Sequence, residues 1–217
     1  MARRFDTRKR NNAHRKTNPV ILLIAEGTNE TESKYFSSFQ HQHAGYTIIV
    51  LKTGHKTDPE GMLKKLEDYW VEKNLDAERG DIAFVVVDLD CSKAKTQLID
   101  RLSKTITITE FVVSNPCFEV WFLLHFRYST KSFLSSYEVI NELKKYIPDY
   151  QKNSDVAGLI KPNLPQAVRN AQRLEAYHCD NMNRWPSNDC NPRTDVAKVI
   201  LAIEERKGSE GHSVFSN

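Results

Sequence analysis

Two apolar runs in this chain are each followed at once by acidic residues. Residues 20–25 lead into Glu26, and residues 82–87 lead into Asp88 and Asp90. Such runs are typical of strands that are buried on both faces and whose ends open into a site. On extended backbone, Asp88 and Asp90 would point to the same face, because side chains alternate along a strand. We therefore expect Glu26, Asp88 and Asp90 to meet at one edge of a sheet.

Three carboxylates gathered at one place repel one another unless a cation lies between them. Carboxylate oxygens suit Mg²⁺ or Mn²⁺ better than zinc. Such a cation activates water and neutralises the charge that develops on a phosphate, which is the chemistry of phosphodiester hydrolysis. A structural alternative is that Asp90 only caps the helix that follows the strand.

A parallel sheet is the element that would bring these strand ends together. Apolar, β-rich runs predict strands at residues 20–25, 46–51, 82–87 and 106–113. Helical stretches lie between the strands, and this alternation implies parallel pairing with right-handed crossovers. In such sheets, sites form at the carboxyl ends of the strands, where Glu26, Asp88 and Asp90 are predicted to lie.

The helices are predicted from apolar residues at helical spacing. An Asp-Pro pair at residues 58–59 has a helix-start pattern, and Ala94, Leu98 and Leu102 are expected to form the stripe of a helix over residues 92–104. Further helices are predicted at residues 116–126, 134–146, 165–179 and 192–206. The expected fold is α/β, with a mainly parallel sheet flanked by helices and a helical C-terminal annex.

Three parts of the chain are expected: a basic arm at residues 1–18, an α/β core at residues 19–126, and a helical extension at residues 127–217 packed on the core. The arm holds seven Lys and Arg against Asp6, a net charge of +6, whereas the whole chain carries +3. A basic arm on a mildly acidic body suggests contact with the phosphates of nucleic acid, and a solvated leader is the alternative.

The composition indicates the cellular compartment in which the protein is expected to work. No apolar run approaches the roughly 20 residues that a membrane span needs, and the N-terminus lacks the apolar segment of a signal peptide. The four cysteines form no C-x-x-C pair and have irregular spacing, which favours reduced thiols over disulfides. We therefore expect a cytoplasmic protein with no membrane contact, whose oligomeric state stays open.

Two motifs carry a resemblance to known families. A strand ending in Glu26-Gly27, followed by one ending in Asp88-Leu89-Asp90, resembles the Toprim domain of topoisomerases, primases and nucleases. The block S-N-P-C-F-E-V-W-F-L-L-H-F at residues 114–126 is more specific, because it resembles the RloB family. The same family has a late N-P-x-T-x-V element, which residues 191–196 match. The resemblance covers roughly residues 1–205.

The resemblance implies a Toprim-like core and a nuclease that depends on Mg²⁺ or Mn²⁺ and acts on DNA or RNA. It also implies a role in defence against phage or plasmids and a partner ATPase that controls the nuclease. This chain has no phosphate-binding loop of the G-x-x-x-x-G-K-[ST] type, so the partner would supply ATP hydrolysis.

The resemblance also implies roles for particular carboxylates. Glu26 would be a metal ligand or general base, and Asp88 and Asp90 would be metal ligands. The stretch after Glu26-Gly27 is one residue longer than the family pattern, so Glu30 and Glu32 both remain candidates for a further ligand. Glu119, the one carboxylate in an apolar helix start, either completes the acidic cluster in catalysis or is paired for structural reasons.

Several alternatives remain at this stage. His125 lies in an apolar helix and is interpreted as a core histidine more readily than as a catalytic base. Lys161 and Arg169 are candidates for phosphate contact or for ordinary surface residues. The second functional hypothesis is a non-catalytic module that binds nucleic acid or protein through a degenerate Toprim core. A third is nucleotidyl or phosphoryl transfer to a small molecule.

Overall fold

The computed structural model of the protein describes residues 18–26, 30–54 and 58–207. The basic arm predicted at residues 1–18 therefore lies outside the described residues, except for Asn18. The turn at residues 27–29, between Glu26 and the first helix, lies outside them as well.

Five strands form one sheet in the part of the chain that the structure describes. They are β1 (Val20–Ala25), β2 (Thr47–Leu51), β3 (Ile82–Asp88), β4 (Thr109–Asn115) and β5 (Arg193–Thr194). Their order is β2-β1-β3-β4-β5; the first four are parallel, and β5 pairs antiparallel with β4. This topology confirms the predicted α/β fold with a mainly parallel sheet.

Eight α-helices surround this sheet within the described residues. They are α1 (Thr31–Ser37), α2 (Pro59–Glu72), α3 (Lys93–Ser103), α4 (Glu119–Leu124), α5 (Ser136–Leu143), α6 (Ala157–Ile160), α7 (Leu164–Asp180) and α8 (Val196–Glu205). Helices α4 to α8 make the C-terminal region helical, as predicted. In the described ranges, none of the helices combines the length and the apolar character required to span a membrane.

The central strands are buried on both faces, as their apolar runs predict. Ile21 and Leu23 of β1 face one hydrophobic cluster, whereas Leu22 and Ile24 face the other. The first cluster includes side chains from α1, α4, α7 and α8, and the second includes side chains from α2 and α3. The C-terminal helices therefore share a hydrophobic core with the sheet.

The start of α3 does not match the structural alternative in which Asp90 caps the helix. The N-cap is Ser92, whose side chain accepts a hydrogen bond from the backbone N–H of Lys95 at 3.3 Å. The cap predicted at residues 58–59 is confirmed, because the Asp58 carboxylate accepts from the N–H of Gly61 at 2.8 Å. Asp90 is therefore free for a role other than capping.

The buried face of α3 is also shifted from the predicted stripe. Ile99 and Leu102 are buried, Leu98 is half-buried, and Ala94 is exposed, so the prediction for Ala94 is wrong. Residues at positions i, i+4 and i+7 share one helix face. Lys95 lies on the same face as Ile99 and Leu102, which directs its side chain toward the sheet.

Strand β5 is the element that the sequence pattern missed. Residues 192–206 were predicted as one helix, but Arg193–Thr194 pairs with Asn115 and Ser114 of β4 before α8 begins. Two residues are too few to show the alternation that indicates a strand. The poorly patterned connector at residues 146–163 likewise contains the short helix α6.

The face of α3 can be tested by substitution. We expect Ile99→Ala to lower the free energy of unfolding by about 2–4 kcal/mol, because it removes a fully buried side chain. Ala94→Gln, on the exposed face, should change it by less than about 0.5 kcal/mol. Urea unfolding of both variants measures the difference, and equal effects at the two positions would contradict the assigned face.

Candidate functional site: an acidic cluster at the carboxyl edge of the sheet

The structure brings Glu26 and Asp88 together at the carboxyl ends of two neighbouring strands. The backbone N–H of Glu26 donates to the carbonyl of Val86 at 3.0 Å, which continues the pairing of β1 with β3. The Glu26 carboxylate oxygen Oε2 accepts a hydrogen bond from the backbone N–H of Asp88 at 3.2 Å. The register of the parallel sheet therefore fixes the relation between these two residues.

Asp90 reaches the same edge by a different route from the one expected. Strand β3 ends at Asp88, and Asp90 and Cys91 have left-handed backbone with φ of 51° and 55°. The expectation that extended backbone aligns Asp88 with Asp90 is therefore wrong. The turn is held by hydrogen bonds from the N–H of Leu89 to the carbonyl of Ser114 at 2.8 Å and from the N–H of Asp90 to that of Pro116 at 2.9 Å.

Lys95 joins Glu26 to Asp90 and was not identified from the sequence. Its Nζ donates to Glu26 Oε1 at 2.7 Å and to Asp90 Oδ2 at 2.9 Å. The Lys95 side chain is only 15% exposed. Burial lowers its pKa, but the two carboxylates outweigh burial, and the net pKa lies above the usual lysine value. Lys95 is thus a charged ammonium between two of the predicted metal ligands.

A second group of carboxylates consists of Asp88, Glu32 and Glu119. Burial raises the pKa of Asp88 well above its usual value, and the charges of Glu32 and Glu119 raise it further. Burial, together with the charges of Glu119 and Glu26, raises the pKa of Glu32 to about 7. Its atom Oε2 is buried and has no hydrogen-bond partner among the residues that the structure describes. Burial and repulsion between the carboxylates therefore disfavour the ionised forms of Asp88 and Glu32.

Of the two candidates on the first turn of α1, Glu32 belongs to this acidic cluster and Glu30 does not. Glu30 precedes the helix, is 62% exposed and forms an ion pair with Lys34 at 3.6 Å. The helix directs Glu32 inward, beside the buried Tyr35 and Phe36. The direction of α1 therefore places Glu32, rather than Glu30, beside the other carboxylates.

Glu119 is buried at the first position of α4, with 3% of its surface exposed. Its Oε1 accepts a hydrogen bond from the Tyr150 hydroxyl at 3.0 Å. The ammonium of Lys152, two residues further on, is close enough for Glu119, Asp88 and Glu32 to outweigh burial and raise its pKa. Glu119 thus has a structural partner and also contributes charge to the cluster.

The loop at residues 150–153 holds these groups against α1. The backbone N–H of Asn153 donates to Thr31 Oγ1 at 2.9 Å, and its side-chain oxygen accepts from the N–H of Glu30 at 2.9 Å. Lys34 Nζ donates to the Asn153 carbonyl at 3.0 Å. A segment without a recognisable sequence pattern therefore forms one wall of the site.

A second loop, at residues 185–192, holds the turn that carries Asp90. Asn188 Nδ2 donates to the Cys91 carbonyl at 2.7 Å, and Asn188 Oδ1 accepts from Thr96 Oγ1 at 3.0 Å. Asn191 Nδ2 donates to the carbonyl of Phe133 at 2.7 Å. These bonds connect the Asp90 turn to α3 and to the C-terminal region.

The remaining candidates, His125, Lys161 and Arg169, form their hydrogen bonds with residues outside the acidic cluster. His125, 2% exposed, bonds through Nδ1 to the Trp121 carbonyl at 3.0 Å, and burial lowers its pKa to about 4. It is a neutral core histidine. Lys161 bonds to the Ser38 carbonyl at 2.5 Å, and Arg169 bonds to Gln166 at 3.1 Å.

The fit of a divalent cation can be judged from the donor atoms. Carboxylate oxygens are the ligands that Mg²⁺ and Mn²⁺ prefer, and the unpartnered Glu32 oxygen offers one of them. Among the described residues, no group of three or more His, Cys, Asp or Glu is drawn together around one point as a metal site. The donor atoms therefore fit a divalent cation, and the carboxylate side chains would have to move in order to coordinate it together.

The fold and this edge define an α/β protein with an acidic cluster at the carboxyl ends of parallel strands. The family model described as RloB-like protein matches residues 21–203, and the chain belongs to that family. No curated protein and no solved structure matches the chain. The match includes both sequence blocks, which contact each other: Ser114 Oγ and Thr194 Oγ1 lie 2.8 Å apart, and Asn115 pairs with Arg193 in the sheet.

The raised pKa of Glu32 predicts that the stability of the folded protein depends on pH. Its pKa is about 7 in the folded protein against 4.5 as the ordinary value, so the folded state binds more protons over that range. Stability without metal should therefore fall as pH rises from about 5 to about 8. Glu32→Gln removes this loss and should be the more stable protein at pH 8, by on the order of 2 kcal/mol.

Thermal unfolding with a chelator present, at several pH values, measures this difference. Glu30→Gln is the matched control, because Glu30 is exposed and should give a pH dependence like that of the wild type. If the difference in stability between wild type and Glu32→Gln stays constant from pH 5 to pH 8, the pKa of Glu32 is not raised in the folded protein.

Proposed function

We propose that this protein is a nuclease that depends on Mg²⁺ or Mn²⁺ and cleaves phosphodiester bonds of DNA or RNA. The observation that carries the proposal is the group of Asp88, Glu32 and Glu119 at the carboxyl edge of a parallel sheet, where an oxygen of Glu32 is buried and Glu119 is 3% exposed. Partly buried carboxylates at such an edge, two of them with raised pKa, are candidates for a functional site.

Asp88, Glu32 and Glu119 are the residues that we assign to holding the cation. This set differs from the sequence-based set of Glu26, Asp88 and Asp90, because the Lys95 ammonium already bridges Glu26 and Asp90. When bound, the cation would supply activation of water and neutralisation of the phosphate charge.

The chain's own residues supply the rest of the chemistry. Glu26 accepts from both the Asp88 backbone and Lys95, so it holds the two halves of the site in a fixed relation. Lys95 and Lys152 place positive charge beside the carboxylates, where each attracts a phosphate oxygen. Tyr150 keeps Glu119 oriented through its hydroxyl hydrogen bond.

The biological role in this proposal rests on resemblance. The order of a Glu-Gly strand end and an Asp-x-Asp strand end is similar to that of Toprim nucleases, and membership in the RloB-like family is consistent with it. A role in defence against phage or plasmids, in the cytoplasm and under control of a partner ATPase, is the form of this proposal that the resemblance favours.

Incubation of the purified protein with plasmid, single-stranded DNA, tRNA and total RNA tests the activity, with Mg²⁺ or Mn²⁺ and with a chelator. We expect metal-dependent cleavage of at least one substrate and a loss of about 100-fold or more in Asp88→Asn. Asp68→Asn, on the exposed face of α2, is the control and should retain activity. Cleavage that survives in Asp88→Asn at the wild-type rate would remove Asp88 from the mechanism.

The second candidate function is a binding module without catalysis. It is favoured by the Lys95 ammonium between Glu26 and Asp90, and by the lack of a preassembled metal group among the described residues. A module of this kind would bind nucleic acid mainly through the phosphate charge, and the basic arm would carry much of that binding.

Binding of single-stranded and duplex oligonucleotides at several salt concentrations separates the two functions. For the binding module, we expect affinity that falls steeply with salt, a shallower salt dependence after deletion of residues 1–18, and no heat of Mn²⁺ binding at millimolar metal. Mn²⁺ binding together with metal-dependent cleavage rules this function out.

A further inference from the structure

The acidic edge is divided into two halves that differ in how their charge is balanced. In one half, Glu26 and Asp90 share the ammonium of Lys95 at 2.7 and 2.9 Å. In the other half, burial and the repulsion between carboxylates raise the pKa values of Asp88 and Glu32, although the charge of Lys152 acts in the opposite direction on Glu32. The two halves therefore differ in that only the first holds a cation by direct hydrogen bonds.

Lys95 is held in this position by the fold. Ser92 caps the first turn of α3 through the backbone N–H of Lys95, and Ile99 and Leu102 bury the same face of the helix. On the opposite side, Asn188 donates to the carbonyl of Cys91 and thereby fixes the turn that presents Asp90. The ammonium is thus positioned by packing as well as by its ion pairs.

We propose that the Lys95 ammonium serves as the second cation of the site, so that the protein works with one divalent ion and one lysine. This inference rests on the proposed nuclease function. In two-metal sites, one ion helps the attacking oxygen and the other stabilises the leaving oxygen. Here a divalent ion could occupy the space between Glu26 and Asp90 only by displacing Lys95.

The donor geometry indicates what Lys95 would contact in a substrate. A lysine ammonium has three N–H donors, and the hydrogen bonds to Glu26 and Asp90 use two of them. The third suits an oxygen of a phosphodiester. Asp90 is 52% exposed, so this end of the site is open to such a ligand.

Calorimetric titration with Mn²⁺ alone tests the inference. Wild type should bind about one ion per chain, and Lys95→Met, which keeps the apolar stem and loses the charge, should bind about two. Lys95→Arg retains the charge and should bind about one ion. Lys93→Ala is the matched control on the exposed side of the same helix and should also bind about one.

The electron paramagnetic resonance spectrum of the Mn²⁺-loaded wild type gives a second measurement that does not depend on the folding of any variant. A single uncoupled ion is expected, and a spin-coupled pair overturns the role of Lys95. Binding of a second ion by the wild type, or of only one ion by Lys95→Met, also overturns the proposed role of Lys95 but leaves the nuclease proposal intact. No Mn²⁺ binding by any of the proteins overturns both.

Discussion

Repulsion between carboxylates is the constraint around which this edge of the protein is organised. Two parallel strands end side by side and bring Glu26 and Asp88 into contact, and α1 and α4 add Glu32 and Glu119. Because the surroundings are partly buried, like charges interact more strongly here than in water. The protein offsets this repulsion with Lys95 at one end and leaves Asp88 and Glu32 with raised pKa values at the other. The two ends differ because Lys95 forms hydrogen bonds with its two carboxylates, whereas Lys152 acts on Asp88 and Glu32 through its charge.

The C-terminal region positions the site as much as the sheet does. Asn188 holds the turn after β3, Tyr150 bonds Glu119, and Asn153 holds the start of α1. The pairing of β5 with β4 places the loop at residues 185–192 beside that turn. The two sequence blocks that resemble the RloB family are thus neighbours in space. Through these contacts, the late block helps to position the turn that carries Asp90, although it is distant from that turn in sequence.

The parts of the site that the sequence predicted are those fixed by long apolar runs. Residues 20–25 and 82–87 can be buried on both faces only as central strands, and that condition places Glu26 and Asp88 at one edge. Lys95 was missed because the stripe of α3 was assigned one residue away from its true face, with Ala94 taken as buried. The available signal was the position of Lys95 four residues before Ile99, which places both residues on the same face of the helix.

The remaining parts could not be predicted because they depend on tertiary contacts. The left-handed turn at Asp90 is formed by hydrogen bonds to the carbonyls of Ser114 and Pro116 and carries no local glycine. Tyr150 and Lys152 lie in a connector without hydrophobic periodicity, and their relation to Glu119 exists only once the chain has folded. The choice between Glu30 and Glu32 likewise depended on the direction in which α1 leaves the sheet.

The same electrostatics bear on how a nucleic acid could approach this edge. Five carboxylates, those of Glu26, Glu32, Asp88, Asp90 and Glu119, face two lysines, Lys95 and Lys152. Even with Asp88 and Glu32 protonated, the carboxylates outnumber the lysines, so the net charge opposes a phosphate. A bound divalent ion offsets part of this negative charge at the point where a phosphate would approach. In the proposed function, the cation therefore reduces the repulsion that the substrate meets at this edge, before it contributes to cleavage.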